Sequence, residues 1–441
     1  YKEILKFDNV QFLKFSIKSQ DIIKSAKAIS TINGSISSEA LTYNKPLILF
    51  GHQSTPFGLC KDVFKVASSE QCKKAIERIE AGFIPGYSDF SKIMQEISIN
   101  NKKIGRKYPP YIIAEMSANH NGDINNAYKI IDMAKVCGAD AIKLQTYTPD
   151  TLTIESDLPD FQLTDGLWAG QSLYELYKGA YMPWDWHKPL FEYAKKVGIT
   201  IFSSPFDNTA VDLLEDLNTP AYKIASFEAV DLPLIKYVAQ TGKPMIISTG
   251  MANSEEIQEA IEAAREGGCK ELALLHCVSG YPAPAEDYNL RTLVDMQKKF
   301  GLVTGLSDHT INNTTAITSV ALGASIIEKH VTLDRNGDGP DDSFSLEFEE
   351  LKDLCIGSKT AWNSLGKVDY GIKYSEKSSV KFRRSLYFIK DIKESEVITR
   401  EHVKSIRPGY GLMPKYLPTI IGRVSTVKKN RGDPVVLEQI K

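Results

Sequence analysis

The chain has 441 residues and a formal net charge of −2, with 24% charged and 42% hydrophobic residues, the balance of an ordinary soluble globular protein. That length suggests about three domains, and the composition excludes a disordered tail, a collagen-like chain and a small disulfide scaffold. No uninterrupted apolar run reaches about 18 residues, so no membrane span is expected.

Residues 1–95 read as a separate α/β unit. Ala28–Ile32 suits a short strand, the following Asn-Gly-Ser a loop, Ser37–Tyr43 a helix and Pro46–Phe50 a second strand. From about Tyr108 a regular alternation begins. Nearly continuous apolar runs at Tyr111–Met116, Ala141–Gln145, Thr200–Ser203, Ala221–Ile224, Pro244–Ser248, Leu272–His276, Leu302–Leu306 and Ile326–His330 suit strands buried on both faces. Helix-period segments separate them, among them Asn126–Cys137, Pro189–Val197, Thr209–Leu217, Pro233–Thr241, Ser254–Gly267 and Thr314–Leu322. Eight such units predict a (β/α)8 TIM barrel over residues 97–355; a doubly wound sheet, the main competitor, usually has fewer strands. A helix and polar connector lead through 356–381 to a compact module at 382–441. Its turns and short runs (Ser385–Ile389, Thr419–Val424, Asp433–Leu437) predict a small β-rich fold.

Charge is unevenly spread. Residues 376–441 hold 15 Lys+Arg against 7 Asp+Glu, a balance of +8, which leaves −10 on the rest. Such a tail suits nucleic acid or a module that supplies cations to an anionic substrate. It lacks aromatic–basic interleaving, so the second reading is favoured and no nucleic acid partner is expected. The six cysteines (Cys60, Cys72, Cys137, Cys269, Cys277, Cys355) include no C-x-x-C pair. They read as reduced thiols of a cytoplasmic protein, without zinc-site spacing.

Polar residues cluster at the C-terminal ends of the barrel runs: Glu115, Lys143 with Gln145, Ser203 with Ser204, Lys223 with Ser226, Ser248 with Thr249, His276, Ser307 with His309, and Lys329 with His330. A barrel gathers those ends at one mouth, where catalysis occurs. One polar strand end means little, since strands always meet polar loops; eight are harder to dismiss. His309 and His330 end consecutive strands, and two neighbouring imidazoles suit a divalent metal such as Mn, against the alternative of two structural histidines. Lys143 and Lys223 with Ser204, Ser226, Ser248 and Ser307 suit an anion bearing phosphate and carboxylate. The alternative is a lysine pair neutralised by Glu115 and Glu228. Those two carboxylates are also acid–base candidates. Asp341 follows the last strand on a Gly/Pro-rich loop able to close on a substrate, or simply built of turn formers.

At these residues the chain resembles the sialic acid synthase family. The resemblance is carried by Ile-Ile-Ala-Glu-Met-Ser-Ala-Asn-His-Asn-Gly (112–122), Ile-Lys-Leu-Gln-Thr-Tyr (142–147), Phe-Ser-Ser-Pro-Phe (202–206), Tyr-Lys-Ile-Ala-Ser-Phe-Glu (222–228), Ile-Ser-Thr-Gly-Met (247–251), Leu-Leu-His-Cys-Val-Ser-Gly-Tyr-Pro (274–282), Gly-Leu-Ser-Asp-His-Thr (305–310) and the Glu-Lys-His-Val-Thr-Leu-Asp-Arg run. Residues 382–441 resemble that family's SAF, or antifreeze-like, domain. The resemblance implies condensation of phosphoenolpyruvate with the open-chain aldehyde of an N-acetylated amino sugar. Lys143, Ser204, Lys223, Ser226, Ser248 and Ser307 would hold phosphoenolpyruvate, and His309 and His330 a divalent metal (Mn, Mg or Co). Glu115, Gln145, Tyr281 and Asp341 would face the sugar. Glu115, Glu228 and Lys223 are the catalytic candidates, Glu228 guiding water. Arg407 matches an arginine that reaches a sugar N-acetyl group in the partner subunit, so a domain-swapped homodimer is implied.

Within the family, Ala-Glu-Met-Ser-Ala-Asn-His-Asn-Gly and the stretch Leu167–Trp184 resemble the pseudaminic acid branch, whose sugar is 2,4-diacetamido-2,4,6-trideoxy-L-altrose. Trp168, Tyr174 and Trp184 would suit such a deoxy sugar, or else pack helices. N-acetylneuraminate or legionaminate synthesis is the alternative, and an inactive barrel carrying a binding module the alternative of a different class. The stretch Ala28–Leu41 with Lys45–Gly51 resembles the nucleotide-sugar half of capsule polysaccharide glycosyltransferases. With Tyr1 in place of Met, the expectation is the cut end of a longer bifunctional chain, without activity of its own.

Overall fold

The computed structural model describes residues 29–31, 47–50, 64–66, 68–81 and 96–441. It divides into two compact units, residues 1–366 and 367–441. In the first, β1 (Ile29–Thr31), β2 (Leu47–Phe50) and β3 (Phe64–Val66) form a parallel three-stranded sheet in that order. A helix follows at Ser69–Glu80, its first turn capped by the Ser68 hydroxyl, and buries Ala75 against Ile48. The strands agree with the α/β reading. The expected Asn-Gly-Ser loop and the helix Ser37–Tyr43 lie outside the described residues, as does Cys60.

Next comes an antiparallel hairpin, β4 (Ile97–Ile99) and β5 (Lys102–Ile104). Asn100 and Asn101 both take positive φ, 48° and 63°, as the tightest hairpin turns require. Ile97, Ile99 and Ile104 are buried among Tyr111, Phe202, Ile246, Val303 and Ile326, inside the barrel that follows. The Ser98 amide donates to Glu271 Oε1 at 2.8 Å, and Asn100 Nδ2 to Thr200 Oγ1 at 3.3 Å. Both acceptors stand at strand starts, so the hairpin closes the barrel floor.

The barrel is closed and wholly parallel. Its strands are β6 (Tyr111–Glu115), β7 (Ala141–Thr146), β8 (Thr200–Pro205), β9 (Tyr222–Ile224), β10 (Met245–Ser248), β11 (Leu272–Cys277), β12 (Val303–Ser307) and β13 (Ile326–His330). They coincide with the expected runs to within two residues. β13 closes on β6, pairing Ile326 with Tyr111 and His330 with Glu115. Helix ends follow local signals. Asp123 caps Ile124–Cys137, which ends on left-handed Gly138, and Asn253 with Glu256 makes a capping box for Ser254–Glu266. The helix expected from Pro189 begins five residues earlier, at Trp184, with Pro189 inside it. Sequence reading overlooked Leu173–Ala180 and Arg291–Phe300. The last helix, Phe348–Leu365, runs ten residues past 355.

The second unit holds the antiparallel pair β14 (Ser385–Phe388) and β15 (Val403–Ile406) over a core of Leu386, Phe388, Ile392, Ile398, Val403, Ile420, Val435 and Ile440. Residues 419–424, expected as a β run, instead include the end of a one-turn helix, Leu417–Ile420, which buries Ile420; only Val424 bridges to Val397. Residues 433–437 contribute a single bridge, Pro434 to Tyr387. Among the described residues no helix is long and apolar enough to cross a membrane, and Cys72, Cys137, Cys269, Cys277 and Cys355 are free thiols.

Candidate active site

Side chains alternate along a strand, and parity sorts the polar strand ends into two sets. Tyr111, Ala141, Phe202, Ile246, Leu275, Val303 and Ile326 pack in the barrel interior. Continuing their parity toward the C-terminal ends puts Glu115, Lys143, Gln145, Ser204, Lys223, Ser248, Cys277, Ser307, Glu328 and His330 inward. Ser203, His276 and Lys329 face the helix layer, a correction to their expected position at the mouth. The Ser203 hydroxyl pairs with Thr146 Oγ1 at 2.6 Å, which also meets His187 Nε2 at 2.8 Å. His276 Nε2 lies 2.5 Å from the Tyr288 carbonyl. Lys329 Nζ is held by Asp308 Oδ2 at 2.9 Å and by the carbonyls of Thr310 and Asn312 at 2.6 and 3.0 Å. Glu328, which sequence reasoning missed, takes the inward place. Its position two residues before His330 was the available signal.

A buried network of three ion pairs occupies the floor of the mouth. Lys143 Nζ sits 2.7 Å from Glu115 Oε2 and 3.8 Å from Glu328 Oε1, and donates to Ser204 Oγ at 3.1 Å. Lys223 Nζ sits 3.6 Å from Glu328 Oε1 and donates to Ser248 Oγ at 2.6 Å. Ser307 Oγ donates to Glu328 Oε1 at 3.3 Å. The lysines are thus partnered by Glu115 and Glu328, rather than by Glu115 and Glu228. Burial works against charge on both, but Lys143, flanked by two carboxylates, keeps its proton more tightly than usual, whereas burial prevails at Lys223 and lowers its pKa. Burial pushes Glu115 up to about 7, reinforced by Glu328 and opposed by Lys143. Burial also disfavours charge on Glu328, yet Lys143 and Lys223 outweigh it and hold its pKa below the usual carboxylate range.

Ser226 closes the ring from the loop after β9. The Gly250 amide donates to Ser226 Oγ at 3.1 Å, and a Cβ on Gly250 would come within 2.8 Å of that oxygen. Glu228 stands in the same loop. Its Oε2 is buried without a hydrogen-bond partner, and burial raises its pKa to about 7.

His309 and His330 lie side by side, ring centroids 5.4 Å apart. His309 Nδ1 is engaged by the Val278 carbonyl at 2.8 Å, which leaves Nε2 as the coordinating nitrogen. Burial, helped by His309, keeps His330 neutral; its Nδ1 is buried without a hydrogen-bond partner, 3.8 Å from Asp341 Oδ2. Two such imidazoles fit a divalent cation as a partial donor set. No group of three or more His, Cys, Asp or Glu suited to a metal is found among the described residues, so water or substrate would supply further ligands. Tyr281 stacks on His309 at 4.4 Å.

Above the histidines lies a cavity of about 350 Å³. Gln145, Tyr281 and Asp341, expected to face a sugar, line it together with Ser117, Glu228 and His330. The rest of the lining is largely apolar and includes Leu163, Trp168, Leu173, Leu176, Tyr177 and Phe206. Glu115 sits beneath Gln145, whose Nε2 donates to Glu115 Oε1 at 2.9 Å. Of the three expected aromatics only Trp168 lines the cavity, its Nε1 donating to the Pro340 carbonyl at 3.0 Å. Tyr174 instead bonds Asp150, and Trp184 the Tyr147 carbonyl. Arg407 belongs to the second unit.

Residues 130–370 match the NeuB family and residues 383–441 the SAF domain. The chain is similar to pseudaminic acid synthase of Helicobacter pylori, 44% identical over 76% of this chain and 98% of that protein. It is 37% identical to N,N'-diacetyllegionaminic acid synthase of Campylobacter jejuni, over 74% of this chain and 98% of the relative. Among solved structures, N-acetylneuraminic acid synthetase of Leptospira borgpetersenii matches with a TM-score of 0.58 at 32% identity, covering 66% of this chain and 96% of that one.

Proposed function

The chain belongs to the NeuB family, and from that premise we propose that it condenses phosphoenolpyruvate with 2,4-diacetamido-2,4,6-trideoxy-L-altrose to give pseudaminic acid and phosphate. The observation that carries this reading is the pairing of two buried lysines and four serines with a cavity whose lining is largely apolar. The first set suits a phosphate and carboxylate; the second suits a sugar with a methyl group and two acetyl groups. The 44% identity to a pseudaminic acid synthase, against 37% to a legionaminic acid synthase, supports this sugar over the alternative.

In this reading C3 of phosphoenolpyruvate attacks the aldehyde carbon and forms the new C–C bond. Water adds at C2, and the C2–O bond breaks to release phosphate. Lys143, Lys223, Ser204, Ser226, Ser248 and Ser307 orient the anion. Glu228, with a pKa about 7, is suited to take a proton from the incoming water. Lys223, whose proton is loosened by burial, and Glu115 are the other acid–base groups. Gln145, Tyr281 and Asp341 face the sugar. His309 and His330 would hold a divalent cation (Mn, Mg or Co), which when bound would polarise the aldehyde oxygen.

We assign residues 1–95 to a glycosyltransferase-like segment, 97–355 to the synthase barrel, 356–381 to a linker and 382–441 to the SAF domain. We further assign a cytoplasmic location and a domain-swapped homodimer in which Arg407 reaches the sugar. The test supplies phosphoenolpyruvate with the diacetamido altrose, the legionaminate precursor or N-acetylmannosamine, and measures phosphate and product mass. Phosphate release confined to the first sugar, and lost in His309→Ala, is expected; preferred turnover of either other sugar overturns the substrate.

A further inference from the structure

Ser117 is a serine in a glycine-like conformation. Its φ is +46°, a left-handed value that side chains other than those of Gly, Asn and Asp rarely adopt. Nothing about chain direction requires a side chain there. The hydroxyl is nonetheless fully employed. It accepts from Gln145 Nε2 at 2.9 Å and donates to Asp341 Oδ2 at 2.5 Å. Both neighbours line the cavity, as does Ser117, which is itself buried.

This single oxygen fixes two other side chains. Gln145 Nε2 gives one proton to Ser117 and the other to Glu115 Oε1, also at 2.9 Å, so the amide cannot flip without losing both bonds. Its Oε1 is left as an acceptor. Asp341, on the loop after β13, accepts from Ser117 through Oδ2, and the Ala118 amide also bonds its carboxylate. The loop reaches the mouth because Asp342 anchors it, accepting from Asn121 Nδ2 and the Gly339 amide, each at 2.9 Å. Ser117 then sets the rotamer of the next residue's predecessor in that loop, Asp341, against the barrel.

We propose that Ser117 is a positioning residue for sugar selection: it holds Gln145 and Asp341 as two fixed acceptors, in a cavity otherwise lined largely by apolar groups, for the amide N–H and hydroxyl donors of a diacetamido deoxy sugar. A strained backbone retained at a ligand-facing hydroxyl fits such a role. This rests on the sugar-binding reading of the cavity.

The test compares Ser117→Gly with Ser117→Ala. Both remove the hydroxyl, but only glycine relieves the backbone. In steady-state assays on the wild type's preferred sugar, both variants are expected to raise the sugar KM about tenfold, the loss of one or two hydrogen bonds. The phosphoenolpyruvate KM should move less than twofold. Thermal melting should separate the pair, with Ser117→Gly at or above the wild type and Ser117→Ala below it. An unchanged sugar KM in both variants overturns the proposal. So does a rise in both substrates' KM that follows the loss of melting temperature, the mark of a merely structural residue. If the wild type prefers another amino sugar, the substrate assignment fails while the Ser117 comparison is still decided on that sugar.

Discussion

Glu228 and Glu328 share one mouth yet hold their protons over different pH ranges. Glu228 has no lysine within hydrogen-bonding distance, and burial takes its pKa to about 7; Glu328 touches both lysines and stays ionised. If ionised Glu228 takes the proton of water, kcat falls as pH drops through about 7, and Glu228→Gln removes that limb along with most turnover. Stability follows the opposite sense. A carboxyl whose folded pKa exceeds its unfolded value favours folding below the unfolded pKa of about 4.5, and this contribution is lost as pH rises through about 7. Glu228→Gln should therefore be more stable than the wild type at pH 8, by ~2 kcal/mol, and lose that advantage near pH 4 in paired melts. Glu328→Gln should behave differently. It removes a buried partner from two ammonium groups and costs about 3 kcal/mol. Phosphoenolpyruvate supplies the missing negative charge, so the melting shift on adding it should be larger in this variant than in the wild type. An equal shift would mean that the lysines do not receive the anion. Sequence alone singled out both lysines, the serines and the histidines, because each lies in or just after the end of an apolar run. It mistook Lys329, His276 and Ser203 for mouth residues and passed over Glu328, because strand ends were read without alternation. Counting back in twos from His330 corrects the assignment.

At the level of elements, most of the apolar lining comes from the segment between β7 and β8, Phe206 being an exception. This was legible only as an aromatic-rich stretch, since the eight-residue helix Leu173–Ala180 is too short to display a clear helical period. Its position depends on long-range bonds that no local pattern encodes. Trp168 Nε1 reaches the Pro340 carbonyl, 172 residues away, and the Trp168 ring sits 5.7 Å from Tyr281. The loops after β6 and β13 are joined likewise, by Asn119 Nδ2 to the Val331 carbonyl at 2.8 Å and to Ser345 Oγ at 2.9 Å. Trp168→Ala should open the wall and release the loop end, raising the sugar KM about tenfold while costing only ~1 kcal/mol of stability, as expected for one hydrogen bond beside a solvent-facing cavity. A stability loss with both KM values unchanged would make Trp168 a packing residue only.

For the whole molecule, the barrel was legible because eight buried strands leave eight apolar runs, whereas the small C-terminal module was legible from its turns and short β-type runs, of which only Ser385–Ile389 became a strand of a ladder. Its other extended segments pair through isolated bridges, which have no two-residue period to read. Arg407→Ala is expected to raise the sugar KM without changing the melting temperature, and sedimentation should give a dimer; an unchanged KM would leave the SAF domain without its assigned part in binding. A chain beginning at Glu96 should retain kcat/KM within about twofold, because the barrel floor is closed by the hairpin that follows; a collapse in melting temperature would show that residues 1–95 complete the fold.

That hairpin also decides how anything upstream is attached. Chain entering at Glu96 passes through β4 and β5, whose isoleucines are seated in the floor, and only then reaches β6. A preceding module is therefore tethered to the face away from the mouth. Such a tether raises the local concentration of one module around another, but gives no covalent path by which a product could pass into the cavity. An added scavenger enzyme would intercept any intermediate that the two exchange through solvent.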